Sequence, residues 1–252
     1  MRETLKYGDA VLIRKIFKNY KRGDVLYFQY PGLDSSIEKA FLFQRIIGLP
    51  GDTLEIIDKI TFVNHFILKD ESSFKQNYFI HLSDAKCDSV FQAHFKHLEG
   101  GKVADDLEYG FSLTDAQFDS VSKAPCIKSI KPKKENSENF DENCFPYSEH
   151  YRWNRDHYGK IYIPKKNDIL KLDTINLDLY ASIITIEKNN LDIRSDSILI
   201  NSVLTSTYQV KQNYFFMMGD NRDNTVDSRI WGFLPESKII GKVNSILRQA
   251  QP

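Results

Sequence analysis

A mainly β fold with antiparallel sheets is what three observations in this sequence predict. Tyr and Phe are frequent, at 13 and 17 residues, and many sit in short runs with Val and Ile, the residue types that favour a pleated strand. The apolar runs are of strand length and are punctuated by Gly, Pro and Asp. Helical segments do not alternate regularly with them, which argues against parallel βαβ units. At 252 residues and 41% hydrophobic, the chain can bury a sizeable core.

In chain order, AVLIRKIF (10–17), DVLYFQYP (24–31) and AFLFQRII (40–47) read as strands, the last closed by a Gly-Leu-Pro-Gly turn at 48–51. TLEIID and ITFVNHFIL continue the pattern. The middle differs. Residues 83–98 are expected to be helical, ending in a C-cap at Gly100–Gly101. Thr114 followed by Gln117 resembles a capping box that opens a short helix stopping by Pro125. Residues 131–143 are highly charged and poor in apolar side chains, and read as a mobile loop. Strand-like runs return at KIYIP (160–164), SIITIE (182–187), SILIN (197–201), YQVKQNYFFMM (208–218) and IIGKVNSIL (239–247). ITFVN and SILIN each read as the start of a small hairpin. The expected organisation is a β core from residues 1–60 and 200–250, with 61–199 as an inserted β-rich domain carrying short helices.

Composition narrows the function. Lys+Arg and Asp+Glu both number 34, and no basic stripe alternates with aromatics, so a nucleic-acid partner is not expected. The six histidines form no HExxH or His/Cys cluster, so no metal is expected, and His94 and His97 read as a solvated helix face. Cys87, Cys126 and Cys144 read as three ordinary thiols, with a Cys126–Cys144 bridge as the oxidised alternative. No apolar run reaches the length needed to cross a bilayer, and MRETLKYGDA has no apolar core of a secretory signal.

Four blocks carry chemistry in a fixed order: MRETLKYGD (1–9), RGDVLYFQYP (22–31), QRIIGLPGD (44–52) and MMGDNRDNTVDSRIWGFLP (217–235), the last followed by GKV (241–243). Together they resemble the type I signal peptidases, and the fourth block is long and nearly complete. WNRDHYGKIYIP (153–164) and PKKNDILKLDTINLDLY (164–180) resemble the long insertion of Bacteroidetes-type members. The resemblance implies a core of coiled antiparallel sheets and no cofactor. It also implies acyl transfer by a serine, with a neutral lysine as general base held in an apolar setting that lowers its pKa.

Carried over residue by residue, that pattern leaves two gaps. The serine would immediately precede Met1, and the lysine position holds Gln44. A carboxamide can hydrogen-bond a hydroxyl but cannot take its proton. Lys39 lies roughly 16 Å away along an extended strand, Arg45 stays protonated and faces the other way, and no His lies in the four blocks. The supporting residues are retained. Thr225 matches a serine that orients the lysine, Asp227 and Arg229 match a structural ion pair, and Gly219, Asp220, Asn221 and Arg222 match the adjoining turn. Pro50 and Gly51 read as turn formers.

The expected function is therefore that of an inactive relative, whose groove, including Leu5, Leu42 and Phe43, binds an extended secretory or assembly-partner polypeptide as an added strand. An active peptidase supplied without its upstream serine and membrane span is the alternative. Family resemblance implies the extracytoplasmic face of a membrane, with a membrane surface as a possible contact.

Overall fold

The computed structural model describes residues 8–15, 19–31, 40–69, 73–103, 107–194 and 197–247. The chain opens with β1 (Ala10–Arg14), β2 (Val25–Gln29) and β3 (Phe41–Gly48), followed by β4 (Thr53–Ile57), β5 (Ile60–Val63) and β6 (Phe66–Ile67). Next come β7 (Gln76–Leu82), α1 (Asp88–Phe95), β8 (Glu99–Lys102), β9 (Glu108–Leu113), α2 (Asp115–Ser122) and β10 (Ile127–Pro132). Then follow β11 (Tyr158–Tyr162), β12 (Ile169–Lys171), α3 (Leu177–Ile186), β13 (Leu191–Arg194), β14 (Ser197–Ile200), β15 (Val203–Leu204) and β16 (Thr207–Gln209). The last elements are β17 (Tyr214–Met218), α4 (Ser228–Trp231), β18 (Leu234–Pro235) and β19 (Ile239–Leu247). Every pairing between these strands is antiparallel, and the helices are short, so the chain is mainly β.

Two compact units divide the chain. Among the described residues, the larger contains Gly8–Leu68, Glu135–Gly219 and 226–247, and the smaller contains Lys69–Lys134 and Asp220–Thr225. The boundaries expected near residues 60 and 200 thus do not coincide with these, since 135–199 fall in the same unit as the two chain-end strands.

In the larger unit a six-stranded sheet runs β1-β19-β2-β3-β17-β18, so strands from both ends of the chain do share one sheet. Its strand β17, YFFMM, is buried throughout, as a strand covered on both faces must be. Phe215 and Met217 join Leu26, Phe28 and Ile46 in one apolar cluster, while Tyr214, Phe216 and Met218 join Leu54, Ile161 and Ile183 in another. A second sheet, β11-β4-β5-β6, contains two tight hairpins. Asp58–Lys59 and Asn64–His65 turn with positive φ at both central residues, as does Asn201–Ser202 between β14 and β15. These are the two-residue primed turns whose twist matches that of the flanking strands.

The smaller unit is a four-stranded sheet, β10-β7-β9-β8, packed by α1 and α2 around Ile80, Leu82, Phe91 and Leu113. Thr114 and Gln117 form the expected capping box on α2.

Several expectations are corrected. SIITIE is not a strand but the end of α3, because Leu177, Tyr180, Ile183 and Ile184 recur at helical spacing and are all buried. The helix expected over 83–98 shrinks to a 3-10 turn at Ala85–Cys87 and α1, and Gly100 and Gly101 lie in β8 opposite Phe111 and Gly110 rather than capping a helix. YQVKQNYFFMM breaks into β16 and β17 because the Lys211 and Gln212 N–H groups turn to donate to the Glu187 carboxylate. The charged segment 131–143 begins inside β10, and its irregular part is pinned by Asn154, whose side-chain amide donates to the Asn136 and Asn139 carbonyls.

The cysteines differ too. Cys87 and Cys126 form a disulfide with a Cα–Cα distance of 5.9 Å, and Cys144 is the buried free thiol. The pairing follows from the sheet. β10 runs beside β7, and Ser83 N–H donates to the Cys126 carbonyl, which brings the chain before β10 to the start of α1.

Candidate active site

Strand alternation decides what surrounds position 44. On β3, Leu42, Gln44 and Ile46 point to one face of the sheet, while Phe43 and Arg45 point to the other. Gln44 pairs across to Leu26 and is 4% exposed. Its neighbours on that face, Leu42 and Ile46, belong to the cluster of Leu26, Phe28, Met217 and Trp231. A lysine placed there would be desolvated and driven towards its neutral form. The glutamine has no such protonation state to use. Its Nε2 donates to the Val226 carbonyl at 2.7 Å, which fixes the direction of the amide.

The Val226 carbonyl accepts from a second donor. The Trp231 indole N–H reaches the same carbonyl at 3.3 Å, so one backbone oxygen ties β3 to α4. Sequence reasoning missed this carbonyl. The signal was the Trp in RIWGFLP, since a buried indole N–H needs an acceptor.

Asp227 is the N-cap of α4 and accepts from the Arg229 N–H at 3.1 Å. Arg229 returns two parallel bonds, Nε to Oδ1 at 3.0 Å and an Nη to Oδ2 at 2.9 Å, with side chains 3% and 0% exposed. Gly219 N–H adds a bond to Asp227 Oδ2 at 3.3 Å, and Arg229 also donates to the Arg155 carbonyl. Ser228, also missed, accepts from Met217 N–H at 2.8 Å and fastens α4 to β17. Gly232 ends α4 at φ +85°, with the Phe145 ring packed where a β-carbon would come within 2.8 Å.

The first half of the motif is held differently. Within the smaller unit Lys75 N–H donates to the Asp220 carbonyl at 2.8 Å, and Arg222 N–H donates to the Lys75 carbonyl at 2.9 Å. Asn221 takes a hydrogen bond from Ser112 Oγ, Asp223 accepts from Asn77 N–H at 2.6 Å, and the Arg222 guanidinium lies 4.4 Å from the centre of the Phe74 ring. Thr225 is half-buried and is the last residue of this unit.

Of the predicted site residues, Gln44, Gly219, Asp227 and Arg229 therefore sit in the larger unit, and Asp220, Asn221, Arg222 and Thr225 in the smaller. Leu42 and Phe43 do not share a wall. Leu42 packs inward beside Gln44, whereas Phe43 stacks on Tyr27 at 4.6 Å on the other face. Arg45 donates to the Gly23 carbonyl at 2.7 Å. Leu5 and Lys39 lie outside the described residues.

No alternative nucleophile is poised in the larger unit's thiol. Burial pushes Cys144 up to about 12, and Asp141 beside it pushes the same way, so the sulfur stays protonated. Among the described residues no group of three or more His, Cys, Asp or Glu could hold a metal ion, and no helix is long and apolar enough to cross a membrane.

Residues 1–108 and 163–248 match the family described as signal peptidase, peptidase S26. The chain is 26% identical over 276 residues to signal peptidase I of Buchnera aphidicola subsp. Acyrthosiphon pisum (strain APS), covering 98% of this chain and 64% of that protein. Signal peptidase I of Aquifex aeolicus (strain VF5) is 26% identical over 245 residues, covering 96% and 70%. A crystal structure of a signal peptidase I from Enterococcus faecalis V583 overlaps 91% of this chain and all of its own, at 15% identity and a TM-score of 0.35. With the matched residues spanning most of its length, the chain belongs to the signal peptidase family, peptidase S26.

Proposed function

We propose that this chain is a non-cleaving signal peptidase relative that holds an extended polypeptide, the signal-bearing end of a secretory pre-protein or of an assembly partner. One observation carries the reading. The position of the general base holds Gln44, buried in an apolar setting with its amide nitrogen committed to the Val226 carbonyl. In that setting a lysine would be a working base, whereas an amide has no proton-accepting form near neutral pH.

Binding by strand addition is supported by the pairing of β3. β17 pairs with it over Arg45–Gly48, while Phe41–Phe43 pair only with β2 among the described residues. A one-sided stretch of apolar strand offers backbone groups to an extended chain. On this reading Asp227 and Arg229 are bracing retained within the larger unit around a site that no longer transfers protons. The Bacteroidetes-type insertion and the extracytoplasmic face of the membrane belong to the same proposal. The half-buried Cys87–Cys126 disulfide supports an oxidising compartment.

The test is incubation with a pre-protein whose signal ends in Ala-x-Ala, using the whole reading frame with any residues encoded ahead of Met1. No cleavage is expected from the natural chain, together with saturable binding of the pre-protein. Gln44→Lys with a serine supplied immediately before Met1 should raise turnover by at least ~10²-fold, the usual scale of a positioned base. Cleavage by the natural chain that Gln44→Ala abolishes would overturn the proposal in favour of an active peptidase.

A further inference from the structure

The smaller unit carries a pocket of about 410 Å³ lined by residues of α1, of α2 and of the segment Lys123–Cys126. That volume lies in the range of small-molecule sites, about 300–1,000 Å³. Its apolar side comes from Phe91 and Phe95, both buried, and from Val90, which is 67% exposed. Its polar side is one-signed. Ser120, His94 and Lys123 line it, and no carboxylate does. Among the described residues the Lys123 ammonium has no ion pair or hydrogen bond, and the His94 ring has only an edge contact with Phe95.

The pocket is also tied in place. Cys126 lines it and is bonded to Cys87, the residue immediately before α1. The cross-link therefore holds α1 against the Lys123–Cys126 wall whether or not anything is bound. A site held in its binding shape loses less order when a ligand enters.

We propose that this pocket binds a free acyl carboxylate, with the chain against Phe91, Phe95 and Val90 and the anionic head at Lys123. Charge complementarity selects the head, because a lysine without an ion pair beside exposed apolar surface favours an amphiphile of opposite sign over a neutral or cationic one. The apolar lining selects a hydrocarbon body over a sugar or a phosphate ester. The proposal concerns the inserted unit alone and holds whether or not the chain cleaves pre-proteins.

The experiment is calorimetric titration of the full oxidised chain with decanoate, decanol and decylammonium, each below its micelle concentration. Decanoate is expected to bind saturably, at least tenfold tighter than either of the others. Lys123→Glu should weaken decanoate at least tenfold, and Val90→Trp, which fills the mouth, should abolish binding. Reduction of Cys87–Cys126 should weaken it. Circular dichroism and a thiol titration confirm that each variant keeps its fold and its disulfide. Equal affinity for the three head groups, or decanoate binding untouched by Lys123→Glu in a folded variant, would overturn the assignment. So would the absence of saturable decanoate binding below about 1 mM. Vesicles of phosphatidylglycerol form the last arm; Lys123-dependent adhesion to them without decanoate binding would likewise reject it in favour of a lipid surface.

Discussion

Both units bury charged side chains, but the larger closes its ion pairs with both partners buried, whereas the smaller adds a half-buried disulfide. In the larger, Asp227 and Arg229 form a bidentate pair at 0% and 3% exposure, Lys59 pairs with Asp156 at 9% and 4%, and the Glu187 carboxylate takes bonds from the Tyr208 and Tyr214 hydroxyls and two backbone N–H groups. Such groups are costly to desolvate and persist only where every partner is in place. Two apolar clusters surround them. The smaller unit has one cluster, of nine buried side chains, and falls in the size range below roughly 80 residues where a single core rarely supplies more than about 3–5 kcal/mol. Its disulfide offsets that shortfall. The comparison teaches that a large core can close ion pairs buried on both sides, while the small sheet, which buries Lys75, Asp220 and Arg222 as well, is held in addition by restricting its unfolded state.

The largest effect should come from breaking the brace. Arg229→Ala leaves the Asp227 carboxylate buried and uncompensated, and is expected to cost about 3–5 kcal/mol. Urea unfolding followed by tryptophan fluorescence reads this unit selectively, because both tryptophans, Trp153 and Trp231, lie in it. If the loss is below about 1 kcal/mol, the pair is not what holds α4 to β17. Replacing both partners by apolar residues of similar volume should recover most of the loss, which separates the worth of the pair from the penalty of orphaning one half.

Cutting Cys87–Cys126 by Cys87→Ser with Cys126→Ser comes next, at about 2–4 kcal/mol for a bridge spanning a sequence separation of 39. The loss should appear as faster amide exchange in β7 and β9, with the tryptophan transition unmoved. Equal loosening of both units would dissolve the distinction drawn between them.

These two features differ in how far the sequence discloses them. The turns Asn64–His65 and Asn201–Ser202 and the Thr114–Gln117 capping box were legible because each is decided by residues a few positions apart. The Asp227–Arg229 pair was legible through the ordered block that carries it. The disulfide was not. Three cysteines allow three pairings, and only the β7–β10 register brings Cys126 to the start of α1. Position 182–187 misled because β-branched residues favour strands locally, while burial of Tyr180, Ile183 and Ile184 on one helical face decided otherwise. The Val226 carbonyl is a backbone atom and leaves no mark in side-chain pattern beyond the indole that seeks it.

A smaller effect sharpens the comparison within the smaller unit. Thr114→Ala removes the acceptor for the Gln117 N–H and should cost about 1 kcal/mol, read as accelerated exchange over α2. Thr114→Ser, which keeps the hydroxyl, should cost little. A loss shared by both variants would show that the methyl group, not the cap, matters there.

The smallest effect is a pH dependence, and its sign is fixed by Asp88. Hydrogen bonds from Lys102 and Tyr109 hold this carboxyl below its ordinary value, against a smaller opposing push from desolvation. A group with a depressed folded pKa contributes stability that is complete above its unfolded value, near 4, and lost as pH falls through the folded one. Amide exchange in α1 should therefore show no Asp88 contribution to pH dependence between pH 7 and about 5, and loosening only below about 4. Asp141 in the larger unit is also depressed: burial would raise it, but bonds from the Asn143 backbone and side chain outweigh that. Acid thus weakens both units in one window, and wild-type titration alone does not separate them. Asp88→Asn does, because it should flatten the acid limb of α1 while leaving that of the Asp141–Asn143 turn in place. If both limbs flatten together, Asp88 is coupled to the larger unit, and the contrast between a braced core and a tethered sheet fails at this point.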